Sequence, residues 1–570
     1  MEGTVHAHNT SSNTFHLAIS MAGAISAGAY TAGVIDYLTE TLERWQVAKK
    51  NIAAAVPQHN IVIDILSGAS AGGMTAAITT AAIHSEFNHI NGSNPQGEKY
   101  NILYDCWVNF TSDLALKDLL AVDDIDENAV ISLLNSKTID KIGEKVSGNT
   151  GLFQKPIPDY FSKELEIILT LSNLTGIPFY VKYEGDLTEA QQFLDRRDFA
   201  HFKLGLAKIG RIPLKMNKTD IFFLVEAAKA TGAFPVGLSS RILVRKKQYI
   251  EQNEFINPLI RDNIRHGNNT SIEIPDEYRS LNIDGGVFNN EPMEVTRQLL
   301  MSLVKGINLT ELLQKGKTDI TPQNDTNANF AVIMVDPFPA VDAAPEKTKV
   351  TEAAGYKGQL LSNIIPRIVT SMRSQLLFDA KNLQQALDSK NFNAFLIAPK
   401  IDTTENSNAI ACGSLGGFGG FLKKDFRIHD FFLGRRNCQR FLQEHLLFPI
   451  ETENEIIKYG YNTPELKTKF KITSKGVEYL PLIPDVLENG ELNTTEELLV
   501  PKPQLTESEL ELYRPFIIKR YRKIMANTGL KGFSRFIAIT AAFLTSGKVA
   551  DAVTDYIKKD LTERGLYKEN

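Results

Sequence analysis

The stretch Ile61–Gly73, IVIDILSGASAGG, constrains this chain more than any other. Ile61–Leu66 is short, mostly apolar and rich in β-branched residues, as a strand buried on both faces of a parallel sheet requires. It runs directly into Gly68-Ala69-Ser70-Ala71-Gly72, and Met74–Ile83 beyond it is a run of small residues suited to a closely packed helix. The pattern is that of a G-x-S-x-G elbow, which holds a serine on a sharp strand-to-helix turn with Oγ projecting above the sheet. Side chains in place of Gly68 or Gly72 would collide with the neighbouring strand or helix. Three fixed positions arise by chance roughly 0.2 times in a chain of this length, so the flanking strand and helix carry the weight of the assignment.

The same grammar precedes the elbow. His16–Ser20 reads as a strand, MAGAISAG as a tight turn, and Ala29–Ala48 as a helix with Val34, Ile35, Leu38 and Leu42 at helical spacing. Strand, turn, helix, strand, turn, helix is the start of an α/β layered domain with a parallel sheet. Further strands are expected at Glu166–Ser172, Phe179–Lys182, Asn282–Asp284, Ala331–Val335 and Phe395–Ala398. The helix-prone stretch 86–160 follows the elbow and is a candidate cover for the site. In the first turn, Ala22, Gly23 and Ala24 leave backbone N–H groups free to face an anion at a helix start. The spacing fits neither GxGxxG nor GxxxxGK[ST], whereas an oxyanion hole makes the same demand for fixed N–H donors. In NIDGGVFNN, Asp284 ends a strand and Gly285 and Gly286 follow, placing a carboxylate where open α/β sheets gather ligands. Taken alone, Asp-Gly is a common turn dipeptide.

Together the three segments resemble the patatin-like phospholipase family. Its members carry a glycine-rich oxyanion loop after the first strand, a GxSxG elbow after the second, and an aspartate in a D-G-[GA] motif. The resemblance covers roughly residues 14–445. It extends to LTLSNLTGIPFYV (Leu169–Val181), EAAKATGAFPVG (Glu226–Gly237) and GSLGGFGGFLKKDFRIHDFFLGRRNCQRFL (Gly413–Leu442), the last similar to a stretch of longer bacterial members. It implies a three-layer α/β/α fold with a mainly parallel central sheet. It implies a lipid acyl hydrolase of phospholipase A type that cleaves carboxylic esters through an acyl-enzyme. Ser70 would be the nucleophile and Asp284 its base, with the N–H groups of Gly23, Ala24 and Ile25 as oxyanion donors. The motif glycines are Gly68, Gly72, Gly285 and Gly286, and no metal or organic cofactor is called for. One departure stands out: in GAISAG, Ala24 and Ile25 occupy the family's second and third loop glycines and Ala27 its basic position.

Two rivals make different demands. An α/β-hydrolase triad in the order Ser…Asp…His is met by Ser70, Asp284 and either His429 or His445, but that fold normally places several strands before its nucleophile. A lipid-binding module without turnover needs the scaffold and not the paired Ser70 and Asp284.

Net charge of −5 over 570 residues argues against a protein that coats nucleic acid. Three cysteines, Cys106, Cys412 and Cys438, lie far apart without a CxxC pair, which excludes a disulfide framework or zinc site and fits a reducing, cytoplasmic setting. No basic segment leads into an apolar run at the N-terminus, so no secretory signal is read there. The most apolar windows, Ala22–Val34 and Phe536–Leu544, are too short, or too rich in Gly, Ser and Thr, to span a bilayer. Beyond about residue 450 the composition changes. Ile450–Glu511 is acidic and proline-punctuated, while Leu512–Ala550 holds eight basic residues and no acidic one. The expected organisation is a catalytic domain over 14–445, with a helical insertion at about 86–160, and a mostly helical extension over 450–570. The basic stretch, with its interleaved aromatic and aliphatic residues, suits either packing on the catalytic domain or peripheral contact with an anionic membrane. Oligomeric state is not legible.

Overall fold

A computed structural model describes residues 13–569 except 86, 92–93, 95–99, 111, 128, 149–154, 183–189, 257–273, 291, 315–326, 340–392, 402–408 and 531. Its centre is a nine-stranded sheet. Strands β1 (Thr14–Met21), β2 (Asn60–Gly68), β3 (Phe161–Lys182), β8 (Phe330–Val335) and β9 (Ala394–Ile397) form a parallel core in the order β3-β2-β1-β8-β9. Beyond β3 the sheet turns mixed. β4 (Ala190–Leu204) pairs antiparallel with β3, and β5 (Ile212–Leu214) parallel with β4. β6 (Arg241–Lys246) and β7 (Glu277–Ile283) form an antiparallel pair that joins the middle of β3 at Ser172 and Asn173.

Every residue of β1 is buried, which explains its unbroken run: a central parallel strand is covered on both faces. On one face Phe15, Leu17, Ile19 and Met21 pack with α1 (Gly28–Lys50), α2 (Ser70–Ala82), α6 (Lys218–Thr231) and α8 (Lys424–Glu444). On the other, Ala18 and Ala22 meet Leu299, Leu300 and Met301 of α7 (Met293–Lys305). The result is a three-layer α/β/α fold. Among the described residues between α2 and β3 lie three shorter helices, α3 (Ile102–Trp107), α4 (Ala115–Leu119) and α5 (Lys137–Gly148). The expected strands at Glu166–Ser172 and Phe179–Lys182 are one strand. Gly176 takes a left-handed φ of +78° and the β3–β4 register shifts between Ser172 and Ile177, so the glycine and Pro178 bend the strand without ending it.

The C-terminal region is tied to the same core. Phe448, Ile457, Tyr461, Leu480 and Leu482 share one apolar cluster with α1 and β2, and β10 (Leu447–Pro449), β11 (Ile472–Ser474) and β12 (Val477–Pro481) make a small sheet there. A hairpin of α9 (Arg514–Ala526) and α10 (Gly532–Glu563) follows, closed at its base by a parallel pairing of Leu505–Thr506 with Tyr567–Lys568. α10 alters the reading of the apolar window at Phe536–Leu544. Ser534–Glu563 is one helix, and by length and composition it is long and apolar enough to cross a membrane, with a mean hydropathy of 1.4 in its most apolar window. Its small residues Ala538, Ala542, Ser546, Ala550 and Thr554 form the buried stripe.

Candidate active site

The site assembles where strands end. β2 stops at Gly68, Ala69 is still extended, and α2 begins at Ser70, whose φ of +50° lies in the left-handed region. A side chain held there is strained, as at a nucleophile elbow. The flanking glycines have the steric role read from sequence, against the start of α2 and the end of β1. A methyl at Gly68 would lie 2.5 Å from Gly73 N, within the turn itself, and one at Gly72 would lie 2.5 Å from the carbonyl carbon of Met21 and 2.7 Å from Ala22 O. Gly72 therefore lets α2 rest directly on the chain leaving β1.

Asp284 stands one residue beyond the end of β7. Its Oδ2 accepts the Ser70 hydroxyl at 2.6 Å and its Oδ1 accepts Gly286 N–H at 2.8 Å. The contact joins residues 214 apart in sequence. Gly285 is confined in the same way, since a methyl there would meet Thr170 of β3, 2.6 Å from its carbonyl carbon. Ser70 and Asp284 are 6% and 5% exposed, so their hydrogen bond is shielded from water.

The sequence reading does not single out a role for the segment that holds both candidates in place. Thr231, the last residue of α6, accepts the Ser70 N–H on Oγ1 at 2.9 Å, and two residues later Ala233 O accepts the Asp284 N–H at 2.8 Å. The end of α6 thus fixes the backbone of both candidates. The likeness at Glu226–Gly237 pointed to this segment without assigning it a task.

After β1, Ala22 N–H is taken by Val335 O at 3.0 Å, while the N–H groups of Gly23 and Ala24 have no backbone partner among the described residues. Ile25 has a φ of +50°. A β-branched residue is disfavoured there, so the family's glycine at this position has a steric reason and Ile25 carries strain. Its side chain packs with Phe418 and Phe421. Ser26 adds a clasp: its hydroxyl donates to Gly417 O at 2.5 Å and accepts Gly420 N–H at 3.0 Å. Arg427, fully buried, donates in turn to the carbonyls of Gly420 and Val108. Burial lowers its pKa to about 10, which leaves it cationic at neutral pH. The segment Gly413–Phe421 thereby backs the loop that lacks the family's basic residue at Ala27.

The histidines weighed for a triad are engaged elsewhere. His429 Nδ1 bonds Asp430 at 2.8 Å, and Asp430 also receives the N–H groups of Ala411 and Cys412, each at 2.8 Å. His445 stacks on Phe441. Ser70 meets a carboxylate directly, with no imidazole between them. No cluster of three or more His, Cys, Asp or Glu residues suited to a metal occurs among the described residues. An apolar cavity between α2, α5 and α6, lined by Met74, Ala77, Ile78, Ile142, Val146 and Val225, begins one helical turn along α2 from Ser70.

A serine elbow on a parallel sheet, faced by an aspartate from a D-G-G turn, defines a class of lipid acyl hydrolases. Residues 19–297 match the family model for patatin-like phospholipase, and the chain belongs to that family. The uncharacterized protein y4iI of Sinorhizobium fredii (strain NBRC 101917 / NGR234) is 30% identical over 533 residues, covering 85% of this chain and 72% of that one. VipD from Legionella pneumophila shares 10% identity over 97% of this chain and 88% of its own, with a TM-score of 0.20, too low to bear on fold or activity.

Proposed function

We propose that the chain hydrolyses carboxylic esters of membrane lipids through a Ser70–Asp284 dyad and an acyl-enzyme. The observation that carries this is the 2.6 Å hydrogen bond from Ser70 Oγ to Asp284 Oδ2 on a strained elbow, with the N–H groups of Gly23 and Ala24 lacking a backbone partner among the described residues. Oγ attacks the ester carbonyl as its proton passes to Asp284 Oδ2. The N–H groups of Gly23, Ala24 and Ile25 receive the oxyanion. Collapse expels the alkoxide, which takes the proton back from Asp284, and leaves an acyl-serine. Asp284 then deprotonates a water that attacks the acyl-serine; the bond to Ser70 Oγ breaks, Oγ takes the proton back from Asp284, and the fatty acid departs. An unperturbed aspartate near ~3.9 is a weak base for an alcohol, so the dyad works through contact and seclusion.

The reading places the catalytic body at 14–445 and gives 450–570 a supporting and membrane-facing part. On α10, Phe536, Phe543 and Leu544 are 66%, 64% and 72% exposed, and Lys519, Arg522, Lys523 and Lys548 are exposed on the same hairpin. Apolar side chains flanked by cations suit an anionic bilayer surface. Buried, unpaired Cys106, Cys412 and Cys438 suit a reducing compartment, such as the cytoplasm, with peripheral access to its membrane.

The test is lipid profiling by mass spectrometry after incubation with mixed membranes, alongside fluorophosphonate labelling, for wild type, Ser70→Ala and Asp284→Asn. Wild type is expected to release fatty acid and label at Ser70, and both variants to lose hydrolysis while keeping the fold. Labelling at another serine, or an Asp284→Asn enzyme of ordinary activity, rejects the dyad.

A further inference from the structure

We propose that the side-chain amide of Asn290 is a further catalytic donor, hydrogen-bonding the ester carbonyl oxygen as it becomes the oxyanion; this rests on the hydrolase reading above. Asn290 lies in the turn after the D-G-G motif and is 6% exposed. A methyl at Gly286 would lie 2.5 Å from its Oδ1 and 3.4 Å from its Cγ, and a methyl at Gly23 would overlap Oδ1 and lie 3.3 Å from Cγ. That same methyl would sit 3.0 Å from Ser70 Cβ. The amide is therefore wedged between the oxyanion loop and the aspartate loop, beside the nucleophile. Both loops are glycine at the contact, which leaves the amide its room.

Asn290 Nδ2 is buried and donates to nothing among the described residues. A buried donor without an acceptor costs about 1–3 kcal/mol, and native structures satisfy nearly all of them. The neighbouring polar groups are engaged with one another: Ser70 N–H with Thr231, and Asp284 with Ser70 and Gly286. What this amide lacks is an acceptor oxygen delivered to Ser70, and an acyl ester brings one. Because that oxygen gains charge as Oγ adds, the bond strengthens toward the transition state, so the donor acts on kcat more than on KM. A neutral side-chain donor also adds to a loop whose second and third glycines are Ala24 and Ile25.

Asn290→Ala and the isosteric Asn290→Asp are compared with wild type on a soluble p-nitrophenyl ester, with the rate of fluorophosphonate inactivation and thermal melting measured in parallel. The expected result for Asn290→Ala is a kcat roughly 10²–10³-fold lower, KM within a few-fold, inactivation slowed in step with kcat/KM, and an undiminished Tm, since an unpaired amide is removed. Asn290→Asp keeps the shape, lacks the donor and adds negative charge, so it should be at least as slow. A kcat within threefold of wild type for either folded variant overturns the assignment. So does a loss of activity that follows a fall in Tm with inactivation per folded molecule unchanged. If wild type itself neither hydrolyses the ester nor labels at Ser70, the hydrolase reading fails first and takes this assignment with it.

Discussion

Gly72→Ala asks whether the elbow sets the position of the oxyanion loop. The added methyl would lie 2.5 Å from the Met21 carbonyl carbon and 2.7 Å from Ala22 O, and closer still to Met21 O. Carbon contacts settle at about 3.5 Å or more, so α2 and the chain leaving β1 must separate by about 1 Å. Neither side yields freely, because Ala69 N–H is bound to Met21 O at 3.2 Å and Ala22 N–H to Val335 O at 3.0 Å. Overpacking of this kind costs about 1–3 kcal/mol. The kinetic effect is larger. A displacement of about 1 Å at the reacting centre lowers the rate roughly 10²-fold, so kcat on a p-nitrophenyl ester should fall by about that factor, with KM little changed and Ser70 still labelled, slowly. Gly460→Ala is the control. Its methyl would lie 2.9 Å from Cγ of buried His59 and closer to Nδ1, and His59 adjoins the start of β2, about 30 Å from the elbow at ~3.3 Å per strand residue. It should lose similar stability and keep kcat. A Gly72→Ala kcat within threefold of wild type would refute the coupling of elbow and loop, and an equal kcat loss in Gly460→Ala would reduce it to a general effect of destabilisation.

Well-folded His429→Ala and His445→Ala enzymes should keep most of their activity per folded molecule, and the pH–rate profile should lack an inflection near ~6.5; a variant as inactive as Ser70→Ala would replace the dyad with a triad. His59 is buried, its ring bonded to Leu482 O at 2.7 Å, and burial lowers its pKa to about 3. Since the folded value lies below the unfolded one, its contribution is complete above pH ~6.5 and is lost as pH falls toward 3, roughly 2–3 kcal/mol by pH 4.5. Thermal melts at pH 7 and 4.5 should show a smaller acid drop for His59→Gln than for wild type, and an identical drop would disprove the assignment. The double variant Phe543→Asp, Leu544→Asp should sediment less with anionic vesicles at unchanged Tm, both positions being exposed. Undiminished binding would remove the hairpin from the membrane.

The parts of the fold legible in sequence are those where burial on both faces leaves an uninterrupted apolar run: β1, β2, β8 and β9, with the helices after the first two. β4 and β6 escaped because their buried charges read as surface. Arg245 of β6 meets Asp198 of β4, and Glu166 of β3 meets His201 and Arg211, pairings that exist only once the strands are side by side. The window Phe536–Leu544 is too short by itself to span because the helix it belongs to continues through Gly, Ser and Thr that interrupt its apolarity, and of these Ser546 and Thr554 pack inward. In the candidate site, Ser70, Asp284 and their glycines stand out in sequence because sharp turns admit few residue types. Thr231 and Asn290 were not, because an ordinary Thr or Asn acquires meaning only from what faces it across the fold.

The clasp on Ser26 also has a consequence during synthesis. Gly417 lies 391 residues after it, and translation at about 5–20 residues per second separates their emergence by roughly 20–80 s. Throughout that interval the nascent chain carries the serine without the segment that braces its loop, and for much of it without Asp284. On the proposed dyad mechanism, the nascent chain therefore lacks a braced oxyanion loop until Gly417 has emerged.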